Sequence, residues 1–302
     1  MLKLNLKTVF IEGGIILKLL SVHFTQNCNL NCPFCYVHKD PQRSPSISNS
    51  PLGSNSPGSP FLRTPDFDFF LQFPQIAASL QIPQIALGGG EPTLYPEFLL
   101  KFGELCHKHN VIVNLTTNGY DISPPILNAL RYFTLVSFSF DTFKVQNKVQ
   151  FSDLLRKMVM VKDIGCKIGA NILLDESTTT NLIPIALTLQ HYADFLYFLQ
   201  MKPSTLIDYQ KLKTDLLTLK TLIGRVWIDD SLKLSFHQTI HCGRGRDILS
   251  INPSKQASYC SFDVPFANLS HPSDLSSILQ NLYPQEPTFS CPFLAPKIPQ
   301  LR

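Results

Sequence analysis

The chain has 302 residues, enough for one large domain with an appendage or for two domains. Its 44% hydrophobic content permits a sizeable core. The net charge of +4, spread along the chain without a basic block, gives no support to a nucleic-acid or anionic-membrane partner.

From Met1 to Leu20 the apolar residues are interrupted by Lys3, Lys7, Glu12 and Lys18, so no run approaches the ~20 residues of a membrane span. No small-residue cleavage site follows, and the expected location is the cytoplasm. Eight cysteines in such a chain read as metal ligands and core thiols rather than disulfides.

Val9–Ile11, Glu12-Gly13-Gly14 and the apolar run from Ile15 to Phe24 read as a hairpin whose second arm is the first main strand. It leads into Cys28-Asn29-Leu30-Asn31-Cys32-Pro33-Phe34-Cys35. Residues 41–62 are mostly Ser, Pro, Asn and Gly, too poor in large apolar groups to offset their ordering entropy, and read as a disordered insert. A dense apolar pattern from Asp66 to Leu80 predicts a helix despite Pro74. Strands follow at Gln84–Leu87, Val111–Leu115, Leu135–Phe140, Lys167–Leu174 and Phe195–Met201. Helices are predicted at Glu97–His109, Pro124–Tyr132, Ser152–Asp163, with Gly165 as its stop, and Ile183–His191. Six strand–helix units without hairpin turns imply an α/β fold with a parallel sheet.

Past Ser204 the alternation fades. A helix is expected at Leu206–Ile223, a strand around Val226-Trp227-Ile228, and a hairpin of Ile248–Ile251 with Ala257–Phe262. The expected division is 1–205 for the sheet domain and 206–302 for a small α+β accessory domain.

Three thiolates spaced C-x3-C-x2-C on one loop can converge on one metal centre, and soft sulfur favours zinc, copper(I) or an iron–sulfur cluster. With His23 or His38 as fourth ligand the loop would make a Cys3His zinc site. An iron–sulfur cube held by three cysteines instead leaves one iron open. Gly88-Gly89-Gly90 lets a backbone approach a ligand without a Cβ in the way, or simply ends a strand; Glu91 beyond it can accept from an ammonium group. Ser139 and Asp141 share one side of an otherwise apolar strand end. Asn171 is either a ligand contact or a core amide satisfied by backbone. Lys202 reads as a solvated lysine or as an anion contact.

Taken with Gly88-Gly89-Gly90-Glu91-Pro92-Thr93 after the second strand and Thr116-Thr117-Asn118-Gly119 after the third, the cysteine loop makes the sequence resemble the radical S-adenosylmethionine superfamily. The resemblance implies a partial (β/α)6 TIM-like barrel with its working residues at the C-terminal strand ends. It also implies a [4Fe–4S] cluster on Cys28, Cys32 and Cys35 and S-adenosylmethionine as cofactor, with Phe34 as the aromatic of the motif. The expected cofactor-binding residues are Phe34, Gly89, Gly90, Glu91, Thr93, Asn118, Ser139, Asp141 and Asn171. Reductive cleavage of the sulfonium would give a 5′-deoxyadenosyl radical that abstracts hydrogen from substrate, with a flavodoxin or ferredoxin as electron donor.

The C-terminal region resembles the twitch/SPASM-like accessory region of some members, with Cys242, Cys260 and Cys291 as ligands of a second cluster. Asp229, Asp230 and Ser231 stand where relatives often carry a further cysteine. A zinc site with His241 is the other reading of these cysteines, while Cys106 and Cys166 read as buried thiols. Arg244 and Arg246 make either a basic loop or a grip on a carboxylate. By analogy the leading substrate class is a peptide or protein, with a small-molecule radical dehydrogenase or carbon-skeleton enzyme as alternative. The alternative of another class is a non-catalytic zinc-binding module. No leader-peptide-binding domain is expected, because the first strand begins so early.

Overall fold

Strand β1 (Leu19–Thr25) is followed in the sheet by β2 (Gln84–Gly89), β3 (Ile112–Thr117), β4 (Leu135–Phe140), β5 (Lys167–Leu174) and β6 (Phe195–Gln200), each parallel to the last. This is a computed structural model of the chain, and it describes residues 17–35, 37, 64–202, 208–236 and 242–282. Helices carry the crossovers: α1 (Phe67–Phe70), α2 (Phe73–Ser79), α3 (Pro96–Lys108), α4 (Pro124–Leu130), α5 (Thr142–Gln146), α6 (Lys148–Asp163), α7 (Glu176–Thr180) and α8 (Leu182–Leu189). The expected partial (β/α)6 barrel is the architecture found.

The period-2 rule of strands sorts the sheet into two faces. Leu20, Val22, Phe24, Ile85, Val136, Phe138, Ile168, Ile172 and Phe198 are fully buried beneath the helices. The alternate residues, among them Ser21, Ala86, Asn114, Ser139, Asn171 and Tyr197, are only partly buried and line the interior face. Around β1 the helix side is aromatic: Phe24 stacks on Phe98 at 4.2 Å, and Phe67 stacks on Phe98 at 5.1 Å. Each such ring contributes about 1.5–3 kcal/mol on burial, so the strand that delivers the cysteine loop is firmly seated.

Residues 66–80 do not form the single helix their pattern predicts. The chain breaks at Leu71-Gln72, and Pro74 takes a first-turn position of α2, where its missing N–H costs nothing. Helix α6 starts four residues before its predicted Ser152, because Asn147 caps it by accepting from the amides of Val149 and Gln150. The hairpin before residue 17 and the 41–62 insert lie outside the described residues.

After α9 (Tyr209–Ile223), β7 (Val226–Ile228) pairs in parallel with β6. Following α10 (Asp230–Ser235), β8 (Ile248–Ile251) pairs in parallel with β1, and β9 (Gln256–Ser258) and β10 (Ala267–Asn268) extend that edge antiparallel, before α11 (Asp274–Gln280). The hairpin around Asn252 forms, with its second arm at Gln256–Ser258 rather than Ala257–Phe262. Main-chain hydrogen bonds cross the expected boundary at 205, and within 206–282 the described strands extend both edges of one ten-stranded sheet. No helix among the described residues is long and apolar enough to cross a membrane.

Candidate cofactor site

The β1–β2 pairing slips after His23, so that Thr25 pairs with Gly89. Beyond it the amide of Gly90 donates to Thr25 O at 2.7 Å and that of Glu91 to Asn27 O at 2.8 Å. The glycine segment therefore stays bonded to the chain as it leaves β1 for the cysteines. Gly89 has φ +135°, and a Cβ there would lie 2.4 Å from Thr25 O; a Cβ on Gly90 would lie 2.1 Å from Asn27 O. Both must be glycine to let β1's exit pass. Gly88 differs: its Cβ would meet only the His23 ring, at 3.7 Å. On the side where a Cβ would point, Gly89 and Gly90 are packed against the backbone of Thr25 and Asn27.

Glu91 is 1% exposed. Its Oε1 accepts from Thr93 N (3.1 Å), Thr93 Oγ1 (2.8 Å) and Thr117 Oγ1 (2.7 Å), and its Oε2 accepts from Asn118 N (2.7 Å). A buried carboxylate needs such partners, and here they join the end of β2 to the end of β3. Asn118 then reaches the cysteine loop: its Nδ2 donates to Asn29 Oδ1 at 2.8 Å and lies 3.9 Å from Cys28 Sγ.

Cys28 Sγ also accepts from Leu30 N at 3.4 Å, and Cys35 N donates to Cys32 O at 3.1 Å, a turn that brings the second and third cysteines round. Burial raises the Cys28 thiol, with Glu91 and Cys35 adding to it against the Leu30 and Asn118 hydrogen bonds. Cys32 is pushed up to about 11, first by burial and then by Asp141, with Cys28 and Cys35 adding and Lys144 opposing. The three sulfurs thus sit within electrostatic reach of one another, half-buried on one loop. Three soft sulfur donors on one loop suit an iron–sulfur cluster.

His23, weighed as a zinc ligand, is engaged elsewhere: its Nε2 lies 2.9 Å from Ser261 Oγ and 3.0 Å from Ser21 Oγ on the interior face. His38 lies outside the described residues. Among the described residues no group of three or more His, Cys, Asp or Glu side chains stands at single-ion spacing.

Asp141 is the N-cap of α5, accepting from Lys144 N, and its Oδ2 is 3.5 Å from Lys144 Nζ. Lys144 Nζ donates to Ser139 O at 2.8 Å. The Phe34 ring stacks on Phe143 at 6.4 Å, so α5 flanks the cysteine loop. Ser139 pairs with Asn171, and Asn171 with Tyr197, in one row across the interior face. Thr117 belongs to the segment after the third strand already singled out in the sequence, whereas Lys144 carried no signal there. Lys144 stands three residues after Asp141, on a short helix that the sequence reading does not predict.

Lys202 is neither solvated nor open to an anion. It pairs with Asp229 at 2.9 Å and lies 4.9 Å over the Phe262 ring. Arg244 forms an ion pair with Asp263 at 2.5 Å, and Arg246 with Asp247 at 2.9 Å, so each guanidinium already has its carboxylate. Cys242 and Cys260 are half-buried before β8 and after β9, where Gly243 N donates to Asp230 Oδ2 and Gly245 N to Tyr259 O, both at 3.1 Å. Cys291 and His241 lie outside the described residues. Cys106 and Cys166 are buried, as expected, and burial raises their thiols to about 12 and about 11.

A family profile described as the radical SAM superfamily matches residues 22–175, about half of the chain. No curated protein matches the sequence. Among solved structures, Streptococcus suis SuiB aligns with TM-score 0.67 at 13% identity, over 89% of this chain and 67% of that one. SuiB bound to precursor peptide SuiA aligns at 0.63 and 13% identity, over 81% of this chain. Native anSMEcpe with bound AdoMet and Cp18Cys peptide aligns at 0.59 and 20% identity, over 86% of this chain and 78% of that one. At these identities the likeness is one of fold. The chain spans about 60% of the length of the peptide-bound SuiB chain.

Proposed function

The chain belongs to the radical SAM superfamily, and on that premise we propose that Cys28, Cys32 and Cys35 hold a [4Fe–4S] cluster on which S-adenosylmethionine binds, in an enzyme that modifies a peptide or protein. One observation carries the cofactor reading: three half-buried thiols share one loop, and the first of them, Cys28, is tied through Asn118 and Glu91 to the glycine segment that opens the next crossover. When bound, the cluster and S-adenosylmethionine supply a 5′-deoxyadenosyl radical that abstracts hydrogen from substrate.

The chain's own part is positioning. Glu91 fixes Thr93, Thr117 and Asn118 around the strand ends. Its four donors leave one lone pair of Oε2 for an ammonium group. Gly89 and Gly90 act through their backbone. Ser139 and Asn171, side by side on the interior face, are the proposed contacts for the nucleoside, and Asp141 and Phe34 bound the same space from α5 and the loop. The aromatic helix side excludes water behind β1.

The peptide reading rests on fold neighbours that were captured with peptides, SuiB with SuiA and anSMEcpe with Cp18Cys. The pairing of Arg244 and Arg246 with aspartates removes one reason to favour a small carboxylate substrate. A flavodoxin or ferredoxin is the proposed electron donor, in a reducing cytoplasm. A second cluster on Cys242, Cys260 and Cys291, in an accessory region from 206, accompanies this proposal.

The test is anaerobic reconstitution followed by chemical reduction with S-adenosylmethionine. A brown protein that forms 5′-deoxyadenosine is expected; a colourless zinc protein, or a fully clustered one that forms none, overturns the reading. Iron per chain separates one cluster from two, and Cys260→Ala is expected to lose only the second.

A further inference from the structure

Lysine is almost never fully buried unless paired. Lys144 is 8% exposed and Asp141 4%, at the end of β4, with 3.5 Å between Nζ and Oδ2. A buried ion pair of this kind is close to break-even for stability, so the fold alone gives little reason to keep it. Its surroundings give another. Phe143, next to Lys144, stacks on Phe34, which is next to Cys35. The five-residue helix that carries the lysine and is capped by the aspartate is thereby laid against the cysteine loop, which brings both charges beside the site proposed for the cluster.

We infer that the Asp141–Lys144 pair sets the reduction potential of the cluster held by the Cys28–Cys32–Cys35 loop, with Lys144 raising it and Asp141 lowering it. The inference rests on the cofactor reading above. Reduction adds one electron, hence one negative charge, to the cluster. A buried cation nearby stabilises that added charge and a buried anion opposes it, through a medium that screens poorly. Net charge around a cluster is among the factors that set its potential. Lys144 and Asp141 act as positioning residues: neither ligates iron, and each works through its field.

The experiment is a reductive titration of the reconstituted enzyme, followed by electron paramagnetic resonance, on the wild type, Lys144→Met, Lys144→Arg and Asp141→Asn. Iron and sulfide content are measured on each. Asn keeps the α5 cap, since its side-chain oxygen still accepts from Lys144 N. The expected result is a shift to more negative potential in Lys144→Met, a shift to more positive potential in Asp141→Asn, and a value near wild type in Lys144→Arg. A merely structural pair would give no such opposed signs. Unchanged potentials, or shifts of one sign in both variants with iron content intact, overturn the inference. Should Lys144→Met fail to fold, the sign of the Asp141→Asn shift decides alone. A wild type that takes up no iron overturns the cofactor reading itself, a result distinct from any of these.

Discussion

A Cβ placed on Gly90 would lie 2.1 Å from the carbonyl oxygen of Asn27, inside any van der Waals contact. The same atom on Gly88, two residues earlier, would touch only the His23 ring at 3.7 Å. Gly90→Ala is therefore expected to cost at least ~2 kcal/mol through overpacking and to displace the cysteine loop. Gly88→Ala is expected to stay within about 1 kcal/mol. Urea midpoints and iron uptake of the two variants check this, and equal behaviour would contradict it.

Glu91→Gln keeps the shape but turns an amide N–H2 toward donors. One of Thr93, Thr117 or Asn118 then faces a donor instead of an acceptor. The expected loss is about 2–3 kcal/mol, the cost of leaving a buried donor unsatisfied in place of a charge-assisted bond. Equilibrium unfolding at unchanged m-value measures it.

Burial holds the His23 imidazole neutral down to about pH 4, against 6.5 in the unfolded chain. Between those values the unfolded state binds the extra proton, so stability is full above pH 6.5 and falls as pH drops toward 4. The contribution is roughly 3 kcal/mol. His23→Gln, which can still bond Ser261, is expected to flatten this part of the stability–pH curve. An unchanged slope in the variant would remove His23 as its cause.

Cys28→Ala, Cys32→Ala and Cys35→Ala are each expected to abolish the cluster of the N-terminal loop after reconstitution. Cys106→Ala, in the helical core, is expected to keep it while losing ~1 kcal/mol of stability. Iron analysis with thermal melts separates the two classes.

Lys202→Met leaves Asp229 buried without its cation. Ser231 and the Leu232 amide still bond that carboxylate, which limits the loss to about 3 kcal/mol, the lower end for a broken buried pair. If Asp229→Asn is added, part of that loss should return. Non-recovery in the double variant would show that packing of the lysine under Phe262 matters more than its charge.

The sequence by itself determined what is local. Strand β4 and strand β5 have the bounds their alternation predicts, Leu135–Phe140 and Lys167–Leu174, because period-2 burial is written into adjacent residues. The C-x3-C-x2-C spacing likewise put three sulfurs on one loop, since so short a chain leaves them nowhere else to be.

Tertiary structure decided which groups were already spoken for. Nothing near Lys202 or Arg244 in sequence announces Asp229 or Asp263 as partner, and only folding brings those carboxylates in. The glycines at 89 and 90 announce a close backbone approach, but only the fold makes Thr25 and Asn27 the backbone they pack against. His23 and Ser261, 238 residues apart, meet because β8 returns to lie beside β1. Pairing over such separations depends on the strand order of the sheet, a property of the whole chain that no window of neighbouring residues contains.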